Sequence, residues 1–128
     1  MSIDAAAKKS GLARYLNLPD GLSMAEAGAR VELHLEMLRD RAEAEMQAAV
    51  EALGRLMDSV GPTPGDHIRG EMLQLASGVT SLGGTFGREA LSKAGYGLCS
   101  LLDELGERWD PAAVQLHVNA IRVLFAAG

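Results

Sequence analysis

The sequence predicts an all-α protein: an antiparallel four-helix bundle with a long first helix and an N-terminal arm. Three observations point there. Apolar residues recur at three- and four-residue steps along most of the chain, without the alternation that marks strands. Hydrophobic residues make up 48% of the 128 residues but aromatics only 4%, a mixture that suits packed helices better than a sandwich or barrel. Gly and Pro cluster between the periodic segments, as in "GPTPG" and "GGTFG", so short loops join antiparallel neighbours.

Residues 1–22 read as an arm and residues 23–128 as the bundle domain. Gly11, Pro19 and Gly21 punctuate the arm, while Leu12, Tyr15, Leu16 and Leu18 suit docking as one short helix. Ser23 with Glu26 forms a capping box that opens the first helix. Val31, Leu35, Leu38, Ala42, Met46, Ala49, Leu53, Leu56 and Val60 then make a single apolar stripe, predicting a helix from Met24 to Ser59. Such a helix is about 50 Å long, so part of it must overhang, bend or meet another chain. Its middle, "RDRAEAE", reads as solvated.

Thr63-Pro64-Gly65-Asp66 starts the second helix, with proline at the first helical position. Ile68, Met72, Leu75, Val79 and Leu82 form its inner stripe, and Gly83-Gly84 is expected to end it. The third helix is predicted over Gly87–Leu105, with Leu91, Ala94, Leu98, Leu101, Leu102 and Leu105 inward and Gly106 as terminator. Asp110-Pro111 caps the fourth, which turns Val114, Val118, Ile121 and Phe125 inward, and Trp109 suits a hydrophobic staple.

Composition excludes several classes of function. The net charge of -5 argues against nonspecific nucleic-acid binding and for protein partners. No apolar run is long enough to span a bilayer, and the residues after Lys8-Lys9 are too polar for a secretory signal, so the expected location is cytoplasmic. Cys99 is the only cysteine, which rules out an internal disulfide, fits a reducing compartment and reads as a buried thiol.

On the second helix, Ser77 lies two residues from both Leu75 and Val79. At about 100° per residue it points away from the core. Gly78, Thr80, Ser81 and Gly84 are its neighbours, and all are small. The run Ser77, two residues, Thr80-Ser81, five residues, Gly87, three residues, Leu91 resembles the signature helix of histidine phosphotransfer domains. That family carries His, two residues, Lys-Gly, five residues, Gly, three residues, Leu. The apolar slots Val79, Phe86, Leu91 and Leu98 agree as well. The chemical residues differ: Ser77 stands at the histidine position and Thr80 at the lysine. A serine phosphate ester is far more inert than a phosphoramidate, so the resemblance implies a docking face without phosphotransfer.

A second resemblance covers most of the chain and is best over its second half. "TFGREALSKAGYGLCSLLDEL" followed by "WDPAAVQLHVNAIRVL" is similar to the small alphaproteobacterial chemotaxis proteins of the CheE family. His117, Val118, Ala120, Ile121, Arg122 and Leu124 match their C-terminal helix, and Gly97–Asp103 matches their "SLC-x-L-x-D" element. "NLPDGLSMAEA" resembles their N-terminal arm. This resemblance implies two-component or chemotaxis signalling.

The remaining residues offer no second chemistry. His34, His67 and His117 are scattered; none has an i, i+4 histidine partner or a Cys or carboxylate set that completes a metal site. His67 opens the second helix ten residues before Ser77, about 280° of turn away and hence off its face. His117 reads as partly buried and His34 as flanking the long helix. Gly83–Gly87 lacks the Walker lysine and a preceding strand, so it reads as a turn and not a phosphate loop. No nucleophile–base–orienter set is apparent.

The sequence therefore predicts a noncatalytic signalling adaptor that uses no cofactor. Its partner would be a response-regulator receiver domain or another chemotaxis protein, docked through Gln74, Ser77, Gly78, Ser81 and Gly84, with Arg88 as a charge partner. A homodimer through the long first helix is compatible with this reading; the alternatives are an active phosphotransferase using His67 or His117, and a structural scaffold that dimerises through that helix.

Overall fold

The computed structural model describes residues 23–61 and 64–128; the arm and Thr63 lie outside the described residues. It holds four helices, α1 (Met24–Ser59), α2 (Asp66–Thr85), α3 (Glu89–Leu105) and α4 (Pro111–Ala127). There is no strand among the described residues, and none of these helices is long and apolar enough to cross a membrane. The chain divides into two compact units, Met1–Asp40 and Arg41–Gly128, with the division inside α1.

Arg41–Gly128 is the helical bundle. Ala42, Met46, Val50, Leu53 and Met57 of α1 form one core with Met72, Ala76 and Val79 of α2, Leu91, Leu98 and Leu102 of α3, and Val114, Val118 and Ile121 of α4. The expected inner residues of α2, α3 and α4 all belong to this core or pack against it. In α1, Val50 and Met57 are buried in the core, while Ala49 and Leu56 pack on the flank. All four lie on one broad apolar stripe, so spacing alone does not separate its centre from its edge. The first part of the predicted stripe is not core: Leu35 is 52% exposed and Leu38 is 38% exposed. With 36 residues against 20, 17 and 17 in the other helices, α1 carries a longer stripe than the core it helps to build.

The helix ends follow capping chemistry. Ser23 Oγ accepts the Glu26 N–H at 3.1 Å, which is one half of the expected capping box. The α2 start differs from expectation: Gly65 is the N-cap in extended conformation, so Pro64 precedes the helix instead of opening it. Its C-terminus also differs, because α2 runs through Gly83-Gly84 to Thr85. The chain reverses at Gly87, whose φ of 80° suits glycine, and the Arg88 N–H returns to Gly83 O at 2.7 Å. This is the six-to-one bond of a Schellman ending. Gly106 ends α3 with φ 55°, as predicted. Asp110 accepts the Ala113 N–H at 3.1 Å to cap α4, and the half-buried Trp109 packs on the core.

Candidate docking face on the second helix

Ser77 is exposed, as its spacing from Leu75 and Val79 predicts. Gln74, Ser81 and Gly84 are also exposed and Gly78 is half-buried, so five of the six anticipated residues share the outer side of α2. A Cβ added to Gly78 would meet nothing within 4 Å. The face also holds a residue that the sequence reading missed. Leu73, 42% exposed, stands one turn before Ser77 at the i, i+4 spacing that makes helix neighbours. Its only sequence signal is being a leucine off the inner stripe.

Arg88, the sixth residue, is placed differently. Its side chain is only 12% exposed. Nη1 donates to Glu43 Oε2 at 2.9 Å, and Nη2 donates to the carbonyls of Leu124 and Phe125 at 3.1 and 2.7 Å. The guanidinium also lies over the Phe125 ring, 4.7 Å from its centroid. One side chain thus ties α1, the start of α3 and the end of α4 together.

Thr80 likewise belongs to the interior, not to the exposed patch of small residues. It is half-buried, and its hydroxyl donates to Ala76 O at 2.8 Å. Ser92 of α3 donates to Thr80 O at 2.7 Å. The helices approach closely here. A Cβ on Gly95 would lie 2.6 Å from Thr80 Oγ1, and one on Gly83 would lie 3.1 Å from Ser92 N. The position that matches the family's lysine therefore faces a tight α2–α3 contact, while the position that matches its histidine faces outward.

The histidines fall as spacing suggests. His34 and His67 are exposed. His67 lines an open hollow with Asp66, Gly70, Glu71 and Gln74 at the start of α2. His117 is half-buried, its Nδ1 is 2.9 Å from Ala113 O, and its ring lies beside Gly97 of α3. Among the described residues no group of His, Cys, Asp and Glu is arranged to hold a metal ion. Cys99 is half-buried, less than expected; burial pushes its thiol above its ordinary pKa, with a smaller opposing effect from Thr80. A thiol held in its neutral form is a poor nucleophile.

The chain matches no family model, and neither a curated protein nor a solved structure shows significant similarity to it.

Proposed function

We propose that this chain is a noncatalytic docking module of bacterial two-component or chemotaxis signalling, which binds a receiver domain through the outer face of α2. The observation that carries this reading is the exposure of Ser77, at the position and spacing where phosphotransfer domains present their histidine. Leu73 supplies an apolar anchor beside it. Ser77, Gly78 and Ser81 keep the surroundings small enough for a partner's backbone to come near. With serine in place of imidazole, the face retains contact and loses reversible phosphoryl transfer.

Isothermal titration against the receiver domains of the source organism, each with and without a phosphoryl mimic, tests the proposal. One receiver binds, and Ser77→Arg weakens that binding by about tenfold or more while leaving thermal stability unchanged. Leu73→Ala weakens the same complex. Unchanged affinity in Ser77→Arg places docking elsewhere. An acid-labile phosphoryl label acquired from a phosphorylated receiver makes the protein a transferase and removes the proposal.

A further inference from the structure

The two most exposed large hydrophobic side chains among the described residues, Leu116 and Val123, stand on α4 and are 68% and 67% exposed. At about 100° per residue, Ala112, Leu116, Val123 and Ala127 share one face, opposite the buried Val114, Val118 and Ile121. Asn119 and Ala120 lie on either side of that line, and all six residues of the face are exposed. The face is uncharged from end to end. The other three helices carry carboxylates, whereas α4 has none. Its two ionisable residues are turned to its neighbours: the His117 ring lies beside Gly97 of α3, and the Arg122 guanidinium lies over Gly54 of α1. Solvated helix faces carry charge, whereas large apolar groups without charge mark the centre of a protein interface.

The occupant that suits this face is a second copy of the chain. Its residues read the same from either end: alanine, a large aliphatic residue, the Asn119-Ala120 centre, a large aliphatic residue, alanine. An antiparallel copy whose two-fold axis crosses between Asn119 and Ala120 sets Leu116 level with Val123 and Ala112 level with Ala127. That axis falls at the middle of Pro111–Ala127, so the two helices overlap along their whole length. Every contact then occurs twice, which is how a self-complementary surface closes into a dimer. Antiparallel packing also opposes the two helix macrodipoles and sets the larger leucine against the smaller valine. Asn119 Oδ1 accepts from Gln115 at 2.8 Å, which leaves its amide N–H groups to donate. Beside the axis, the Asn119 amides of both copies meet, and each offers the other a donor and an acceptor. An apolar helix from another protein would leave that amide unpaired. Along the flank, Glu51, Arg55, Asp58 and Arg122 line the groove between α1 and α4. Their charges cancel, so two copies meet there without net repulsion.

We infer that the chain forms an antiparallel homodimer through the outer face of α4, with Leu116 of each copy packed against Val123 of the other. A helix about 25 Å long gives an interface below about 1,200 Å², so the dimer is in reversible equilibrium with the monomer. Receiver docking uses a different helix, and either can fail without the other.

The test is sedimentation equilibrium of the full-length protein over a concentration series. The wild-type chain shifts from monomer to dimer as concentration rises. Leu116→Ala weakens the dimer by about tenfold. The double variant Leu116→Glu, Val123→Glu stays monomeric; both residues are exposed, and an unchanged far-UV circular dichroism spectrum confirms that the fold survives. A short bis-maleimide cross-linker, used in a Cys99→Ala background, reads the direction of packing. It joins copies of Ala120→Cys, which lie beside the axis, and does not join copies of Ala112→Cys, which lie about 22 Å apart along it. A chain that is monomeric throughout, a dimer that persists in the double glutamate variant, or equal cross-linking at both cysteines overturns the inference.

Discussion

Arg88 carries its positive charge at the N-terminus of α3, where the helix macrodipole disfavours a cation. That local misfit has a tertiary explanation. The guanidinium serves the far end of α4, where it donates to the carbonyls of Leu124 and Phe125 and the dipole favours a cation. Replacing it with methionine keeps the stem's packing but removes four hydrogen bonds and the ring contact. Arg88→Met is expected to lower the unfolding free energy by about 1–3 kcal/mol, measured by urea titration. Glu43→Gln costs less, because the amide oxygen still accepts from Arg88 and the Glu43 side chain is already 42% exposed. The sequence offers no direct sign of this cluster, since Glu43 and Leu124 lie 45 and 36 residues from Arg88. A basic residue just before a helix is the sort of oddity that hints at a distant partner.

Among the elements, α2 shows two sides with opposite tolerance. Towards α3, Ala76, Thr80 and Gly83 meet Ser92 and Gly95 at separations that leave no room for a methyl group on Gly95. Gly95→Ala is expected to destabilise the bundle by about 1–3 kcal/mol through overpacking. Combined with Thr80→Ala, the loss is only partly relieved, because the backbone of Ala76 and Thr80 stands 3.1 Å from the new Cβ. A double-mutant cycle reads that coupling. On the outer side, Gly78→Ala has open space and replaces a poor helix former, so it stabilises the fold by about 0.5–1 kcal/mol. The helices themselves were readable: Asp110-Pro111 and Gly106 cap where expected, and the inner stripes of α2 to α4 turn inward. The glycines were not. Gly83 and Gly95 sit inside helices for reasons of close approach, a property of two elements that neither segment reveals. Reading Gly83-Gly84 as a terminator took packing glycines for punctuation.

For the whole molecule, spacing placed Ser77 outward because exposure on a helix is a local angular property. It misassigned Thr80 and Arg88 because their partners come from other helices. The same distinction bears on the order in which contacts form. The Ser92–Thr80 hydrogen bond closes a loop of 12 residues, whereas the Arg88 cluster must bring together residues 45 and 36 positions apart. Short loops cost less entropy to close than long ones, so the α2–α3 hairpin is the natural nucleus and the Arg88 cluster a late fastening. In stopped-flow measurements, Arg88→Met is therefore expected to speed unfolding and leave the folding rate nearly unchanged, while Gly95→Ala chiefly slows folding. The arginine that joins three helices would then govern how long the bundle stays assembled, and the glycine contact how quickly it assembles.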